Sequence, residues 1–494
     1  MIRQLIIYFI IILTNNISIA QECNCTDSFD WMVITFENND AGFQYVINKN
    51  GNDDYKKFTE NIREQAKGVK SITSCKTIMN NWLHYFRNGH IGVNIKEAKD
   101  SFITKKNSEI RQQYENEKII NLTESELKNI LDKKNTINPI EGIWEMEGNR
   151  YRIGIIKDNN LDKKFTAFII KADSIYWMPK QIKAEFTIND DDTTYSVDFY
   201  LRDHSKHKVQ VKFVNESSTI FYIIDTVINS YWVKEYPKIN LSANEKTFSL
   251  YKFSKLPSLL KLNDKTIYLR IPSFEYYQKK YIDSILVKND TLIKSTQNLI
   301  IDIRNGTGGS SHSWDKIIPY LYTNPIREGV NQYKASELNA QEYENYARDF
   351  KDTSISKRCF NTAKKMREHI GELITFTDSK YYNYKLDKIY NFPQKVAIIC
   401  NKYNGSADEQ FLLYAKQSKK VKVFGTPTQG MIDVANMKTV NFPDNKFTLS
   451  YGMTITARIN EYCIEGIGIQ PDYFLDNTIN EIDWIDYTKL IIEQ

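Results

Sequence analysis

A short strand that is apolar on both faces places the strongest constraint on how this chain can fold. Leu299–Ile303 is such a strand, and both of its faces must be covered because successive side chains point to opposite sides of a strand. From about Phe248 onward, similar runs alternate with helical stretches, among them Thr266–Ile271 and Lys395–Cys400. This alternation predicts an α/β layer over residues 237–494.

Two other patterns precede this layer. Residues 21–135 show the apolar spacing of three and four that is typical of helices, and Thr123 with Glu126 fits a capping box. Residues 136–236 change to a period of two, as in Phe165–Ile170, with polar turn clusters between the runs. The sequence therefore predicts an N-terminal helical domain, followed by an inserted antiparallel β module that is a barrel or a sandwich.

The first 20 residues have the features of a cleaved secretory signal. Arg3 precedes the apolar run Leu5–Leu13, and the small residues Ser18 and Ala20 flank the expected cut. No later segment approaches the roughly 20 apolar residues of a membrane span. We therefore expect an exported protein, periplasmic or secreted, without a membrane span.

Composition restricts the partners. The 66 basic and 61 acidic residues are interspersed and give a net charge of +5, which argues against a nucleic-acid surface. Six cysteines in an exported chain permit disulfides, but their pairing cannot be deduced. Cys23 and Cys25 lack a second pair at ligand spacing. We therefore expect no metal and no cofactor, and the oligomeric state stays open.

A serine stands where a nucleophile would be exposed. Ser406 lies in Asn404–Glu409, directly after the apolar run Val396–Cys400 and before an amphipathic stretch. At such a strand-to-helix turn, the first amides of the helix can stabilise an oxyanion. A serine at this position can equally be a helix N-cap, with Glu409 as a capping carboxylate.

A serine nucleophile needs a base and an oxyanion donor. Gly308 and Gly309 follow the buried strand, and such glycines let the backbone approach a substrate carbonyl. Of the six histidines, His90 lies in a turn flanked by glycines and His312 lies just after the glycine pair. Residue type alone leaves both histidines open as the base.

Three motifs in order resemble the core of the C-terminal processing (tail-specific) serine peptidases. They are Asp302–Gly309, Ser406–Glu409 and Gly425–Gly430, and the resemblance spans about Thr266–Tyr473. It implies a crotonase-like layered α/β peptidase core with a helical N-terminal region and an inserted module. It also implies hydrolysis of peptide or protein substrates. No carboxylate-binding loop of a PDZ domain is readable between residues 137 and 236.

One departure decides between the branches of this family. Many members have a lysine base directly after the glycine-rich motif, where this chain has Met431. The chain is more similar to the tricorn-core-like branch, which uses serine, histidine and glutamate. That resemblance implies His90 as base and Glu465, in Ile464–Asp472, as its support. Gly89 stands where the branch has a serine before its histidine.

The resemblance thus implies a complete set of roles. Ser406 is the nucleophile, the amides of Gly308 and Ala407 form the oxyanion hole, and Gly309 contacts the substrate. The alternative is a catalytically inactive protein that binds a peptide or another ligand on the same scaffold, because a fold can keep its groove and lose its chemistry.

Overall fold

The computed structural model describes most of the chain after the N-terminus. It covers residues 23–96, 101–158, 161, 163–172, 175–191, 193–225, 227–349, 351–476 and 478–494. The predicted signal at residues 1–20 lies outside the described residues. The described residues divide into two compact units. The first unit consists of residues 23–96, Asn331–Phe376 and Val434–Thr456, and the second contains the rest.

The helices of the described residues are numbered in chain order. They are α1 Cys25–Asn39, α2 Phe43–Asn50, α3 Asn52–Ala66, α4 Ile72–Leu83, α5 Ser101–Tyr114, α6 Glu124–Asp132, α7 Ala243–Phe253, α8 Lys279–Lys288, α9 Asp290–Ile293, α10 Ile318–Leu321, α11 Glu337–Asp349, α12 Thr353–Glu368, α13 Ala407–Ala415 and α14 Trp484–Ile492. Short 3₁₀ helices span Glu147–Asn149, Tyr276–Gln278, Ser311–Trp314 and Glu481–Asp483.

The strands of the described residues are numbered in the same way. They are β1 Gly92–Ile95, β2 Gly142–Met146, β3 Tyr151–Lys157, β4 Lys164–Ala172, β5 Ile182–Ile188, β6 Thr194–Tyr200, β7 Lys206–Phe213, β8 Ile220–Ile224, β9 Asn229–Tyr236, β10 Ser258–Lys261, β11 Thr266–Arg270, β12 Asn298–Asp302, β13 Ile326–Gly329, β14 Asn331–Lys334, β15 Leu373–Ile374, β16 Tyr381–Tyr384, β17 Lys395–Cys400, β18 Val421–Gly425, β19 Val434–Asn441, β20 Phe447–Thr456 and β21 Tyr473–Phe474.

The first unit packs helices α1 to α4, α11 and α12 with a small antiparallel sheet. Strand β20 pairs with β1, β14 and β19, and β15 extends the sheet beyond β14. Its core joins aromatic side chains of the helices, such as Phe36 and Trp82, to Leu449 and Tyr451 of β20. A disulfide joins Cys25 of α1 to Cys75 of α4, which answers the pairing question for these two cysteines.

Helices α5 and α6 belong to the second unit, so the helical stretch predicted over 21–135 is divided between the units. The predicted capping box at the start of α6 is confirmed. The Glu126 amide donates to Thr123 Oγ1 at 3.3 Å, and the Thr123 amide donates to the Glu126 carboxylate at 2.7 Å. Both orphan donors at this helix start are thereby satisfied.

The predicted β module is present as a closed antiparallel barrel of strands β2 to β9. Its interior is filled by apolar and aromatic side chains, including Trp144, Phe186 and Trp232. All three are almost fully buried. The interior of an eight-stranded barrel is small enough for side chains to fill it. The period of two predicted the strands correctly, and the structure selects the barrel over the sandwich.

The α/β core of the second unit confirms the predicted fold class. Its sheet has the order β10, β11, β12, β17, β18, β21, and all neighbours from β11 to β21 are parallel. Every residue of β12 is buried. Leu299 and Ile301 pack on one side with α8 and α13, while Ile300 packs on the other with α14. The strand that is apolar on both faces is therefore covered on both faces.

The described residues contain neither a membrane-spanning helix nor a metal-binding cluster. None of the helices described here combines the length and the apolar character that crossing a membrane requires. The described part of the chain also holds no group of three or more His, Cys, Asp or Glu side chains that could bind a metal ion.

Candidate active site

Ser406 occupies a strained turn between strand β17 and helix α13. Its backbone has φ 57° and ψ −119°, a conformation that a residue with a Cβ adopts at a cost of about 1–3 kcal/mol. Strain of this kind persists only where the surrounding structure enforces it, and it is concentrated at functional sites. Serine nucleophiles at strand-to-helix turns are held in this way.

Two ordinary caps in the same chain provide a comparison. Thr123 and Ser242 also stand three residues before a glutamate, and both have the extended backbone of an N-cap. The third residue of each helix donates its amide to the capping hydroxyl at 3.3 Å. At Ser406, the Glu409 amide donates to the Ser406 backbone carbonyl at 2.9 Å. The conformation of Ser406 is therefore not one that capping requires.

The structure brings Gly308 and Ala407 to this serine. A Cβ added to Gly308 would lie 2.8 Å from the Ser406 Cβ and 3.2 Å from the Ala407 amide nitrogen. Gly308 also has a φ of +88°, which strains any residue with a side chain. Glycine is thus required at 308 for both space and conformation, and its backbone lies directly beside the turn.

Gly309 is held by the segment that follows strand β11. It pairs with Phe274, and a Cβ at this position would lie 2.3 Å from the Phe274 carbonyl carbon. On either side of it, Phe274 N donates to the Gly308 carbonyl at 3.2 Å and Ser310 N donates to the Phe274 carbonyl at 2.9 Å. Gly309 is therefore packed against the backbone of Phe274.

Glu409 connects the Ser406 turn to residues 428–431. Its Oε1 accepts from Thr428 Oγ1 and from the Gly430 amide, both at 2.6 Å. Its Oε2 accepts from the Met431 amide at 2.9 Å and from the Ser406 amide at 3.2 Å. The side chain is fully buried, and burial raises the pKa of the carboxyl group although these bonds oppose it. Glu409 is thus more than a cap.

Met431 lies against the residue before the serine. A Cβ on Gly405 would stand only 2.3 Å from the Met431 Sδ, so the thioether packs directly on the Gly405 backbone. A thioether is only a weak acceptor and has no proton to exchange. At the position where many of the peptidases that this chain resembles have a lysine, Met431 therefore supplies packing and no base.

Glu465 lies in a segment anchored by a buried carboxylate. Asp433 Oδ2 accepts from the Ile464 amide at 2.7 Å and from the Glu465 amide at 2.9 Å. Arg458, also buried, makes an ion pair with Asp433 at 2.5 Å. Both carboxylate oxygens of Glu465 are buried, which differs from an exposed turn glutamate. Sequence reasoning missed Asp433 and Arg458.

The Glu465 segment also meets the glycine-rich loop. The Gly466 amide donates to the Gly430 carbonyl at 2.8 Å, and Gly430 in turn donates to Glu409. A continuous set of hydrogen bonds therefore runs from the Ser406 turn through residue 430 to the segment that carries Glu465.

His90 belongs to the first unit, while the other predicted site residues belong to the second. Its Nδ1 lies 2.7 Å from the Val434 carbonyl oxygen. A carbonyl can only accept, so Nδ1 carries the proton and Nε2 carries the lone pair. Burial lowers the pKa of His90, which keeps the ring neutral near pH 7. This is the protonation state that a general base needs.

Arg87 fixes the turn around His90. Its guanidinium makes a buried ion pair with Asp40 at 2.5 Å and donates to the carbonyls of Gly89 and His90, both at 3.1 Å. The other candidate base, His312, is exposed, with its Nδ1 3.3 Å from Asp315 Oδ2. Of these two histidines, only His90 has its tautomer fixed by a hydrogen bond to a backbone carbonyl.

A serine in a strained strand-to-helix turn, with glycine backbone beside it on a parallel sheet, is the arrangement in which serine-type hydrolases hold their nucleophile. Residues 265–475 match the model of peptidase family S41. The match covers the α/β core and less than half of the chain. No curated protein matches the chain.

Several solved structures are similar to the chain at low sequence identity. Mature CPAF is 10% identical with a TM-score of 0.49, over 95% of this chain and 96% of that chain. The photosystem II D1 C-terminal processing protease is 10% identical with a TM-score of 0.38, over 94% and 96%. The tricorn protease is 11% identical with a TM-score of 0.42, over 95% of this chain and 36% of that chain. Since these scores lie below 0.5, no conclusion about this chain rests on them.

Proposed function

We propose that this chain is an exported serine peptidase that hydrolyses peptide bonds through an acyl-enzyme on Ser406. The observation that carries the proposal is the strained Ser406 turn, with the Gly308 backbone and the Ala407 amide directly beside it. His90 is the general base, and Glu465 supports it. The substrates are peptides or proteins.

In this mechanism the Ser406 hydroxyl attacks the scissile carbonyl while Nε2 of His90 takes its proton. The amides of Gly308 and Ala407 donate to the oxyanion, and each such donor contributes about 3–4 kcal/mol to the transition state. The imidazolium then protonates the leaving amine, which separates with the C-terminal part of the substrate. Water activated by His90 hydrolyses the ester and restores Ser406.

The subtype and the location are part of the same proposal. The resemblance to the tail-specific enzymes favours either an endopeptidase or carboxy-terminal processing. Residues 1–20 have a signal pattern that favours a periplasmic or secreted protein. The Cys25–Cys75 disulfide supports this location because disulfides persist in oxidising compartments.

A fluorophosphonate probe tests the nucleophile. The probe should label the wild-type protein, and Ser406→Ala should abolish labelling. Ser242→Ala is the matched control, because it removes a hydroxyl from an ordinary helix cap and should leave labelling intact. His90→Gln should slow labelling and peptide hydrolysis by a factor on the order of 10⁴ to 10⁶. A folded wild-type protein that takes no label and cleaves no peptide library refutes the proposal.

Met431 favours one second candidate, a non-catalytic peptide-binding protein on the same scaffold. Its thioether replaces the lysine base of many related enzymes. In that case, wild-type protein and Ser406→Ala would bind peptides with equal affinity, and neither would hydrolyse them or take the probe. A measurable difference in labelling between the two proteins removes this candidate.

A further inference from the structure

Asp408 is a buried acid beside the Ser406 turn to which the proposed mechanism gives no role. It is the second residue of α13, where an acid ordinarily faces solvent and complements the helix dipole. Here its side chain is fully buried, as is that of Asn404. Two buried polar side chains at one turn require a reason, because burial without compensating bonds is costly.

We propose that Asp408 is a positioning residue, whose carboxyl group together with Asn404 holds the Gly306–Gly308 backbone against the Ser406 turn. This inference rests on the proposed function, since it concerns the glycine whose amide is the proposed oxyanion donor. Asp408 itself touches neither the substrate nor the reacting atoms.

Asn404 joins the ends of two neighbouring strands. Its Nδ2 donates to the Ile303 carbonyl after β12 at 2.7 Å and to Asp408 Oδ2 at 2.8 Å. Its Oδ1 accepts from the Asn401 amide after β17 at 2.7 Å. Asn404 therefore holds Asp408 and the backbone just before the glycine loop in one hydrogen-bonded group.

Asp408 contacts the glycine loop directly. A Cβ on Gly306 would lie 2.5 Å from Asp408 Oδ2 and 3.1 Å from Asn404 Nδ2, so the carboxyl group packs on the Gly306 backbone. The nearby Gly308 amide favours the ionised form and so acts to lower the pKa of the carboxyl group. A negative charge on Asp408 opposes the negative charge that develops on an oxyanion at this amide, because like charges repel in a buried site. The neutral acid keeps the same packing without this repulsion.

The Asp408 carboxyl group has a pKa near neutral pH. Burial raises the pKa of this carboxyl group to about 7, although the hydrogen bond from Asn404 opposes the shift. Among nearby groups, Glu409 on the same helix raises it further. The buried Cys400 thiol of β17 stays neutral, because burial raises its pKa to about 12. Asp302 and Arg304, before the glycine loop, are paired with each other at 2.7 Å.

The decisive experiment measures the rate of fluorophosphonate labelling between pH 5.5 and 9. We expect the wild-type rate to fall by about tenfold between pH 6.5 and 8.5, a fraction of the 10²–10³ that a lost oxyanion donor costs. Asp408→Asn keeps the shape but cannot ionise, so its rate should show no alkaline fall. A wild-type profile without this fall, or the same fall in Asp408→Asn, overturns the inference.

Hydrogen exchange read by mass spectrometry tests the packing independently of catalysis. Asp408→Ala should increase amide exchange in residues 303–309, whereas Glu245→Gln, which removes a carboxylate from another helix start, should not. If wild-type protein takes no label at any pH, the proposed function fails and the exchange result alone decides the inference. Unchanged exchange in Asp408→Ala overturns it. If Asp408→Ala does not fold, Asp408→Ser, which also removes the group that packs on Gly306, provides the same comparison.

Discussion

Replacement of Glu409 by glutamine tests whether the Glu409 carboxylate only caps helix α13 or also holds the active-site backbone in place. Four donors meet this carboxylate: Thr428 Oγ1 and the Gly430 amide at Oε1, and the Met431 and Ser406 amides at Oε2. A glutamine amide offers one acceptor oxygen and one NH₂ group. The NH₂ group must therefore face two of the four donors in either orientation.

The loss of stability in Glu409→Gln depends on which of the four donor groups can reorient to accept a hydrogen bond. On the Oε2 side, the NH₂ group would face two backbone amides that are fixed in direction. On the Oε1 side, it would face the Gly430 amide and the Thr428 hydroxyl, which can rotate and accept. The better orientation thus leaves one buried amide without an acceptor, at a cost of about 1–3 kcal/mol. We expect Glu409→Gln to lower the free energy of unfolding by that amount.

Urea unfolding at pH 7.5 measures this loss, and the rate of fluorophosphonate labelling measures its effect on the site. We expect the labelling rate to fall as well, because the Ser406 amide and residues 428–431 lose a common anchor. Glu245→Gln is the matched control, since Glu245 occupies the same helix position in an ordinary capping box and should leave labelling unchanged. Wild-type stability and labelling in Glu409→Gln would refute the four-donor argument.

Three further results are expected. Gly308→Ala should abolish labelling by the fluorophosphonate probe, because the added Cβ would lie 2.8 Å from the Gly405 carbonyl oxygen. Gly371→Ala is the control: Gly371 has a φ of +95° but open space around it, so the substitution should lower the free energy of unfolding in urea by only about 1 kcal/mol. Replacing Cys25 and Cys75 by serine should cost about 4 kcal/mol, from a separation of 50 residues; an unchanged urea midpoint contradicts this. Burial raises the pKa of Glu245, but hydrogen bonds outweigh it and lower the value to about 2. Its contribution is therefore present above about pH 4.5 and lost as pH falls towards 2, so wild-type and Glu245→Gln unfolding curves should converge there; a difference that persists at pH 2 contradicts it.

The sequence was sufficient for elements whose burial decides their pattern. Strand β12 is apolar on both faces, and a parallel sheet covered on two sides is the fold that accommodates it. The strands of the β module were equally clear from their period of two. Closure into a barrel was not, because alternation specifies two faces and leaves open which strands meet at the edges.

Parts of the site depend on contacts that no local pattern contains. Ser406 was identifiable from the apolar run before it, since a strand end and a helix start are local features. Asp433 was not, because it meets the amides of Ile464 and Glu465 only through folding and stands in no motif. Asp408 lies within the Ser406–Glu409 motif but was assigned no role from the sequence, and only its burial marks it out.

The division of the chain has a practical consequence for anyone who manipulates this protein. Each unit is assembled from three separate stretches, so the backbone passes from one unit to the other five times. No truncation can therefore yield either unit alone, and an isolated first unit would require its stretches to be rejoined by designed linkers. One proteolytic cut at a passage should likewise split the chain on a denaturing gel, while the pieces stay together under native conditions.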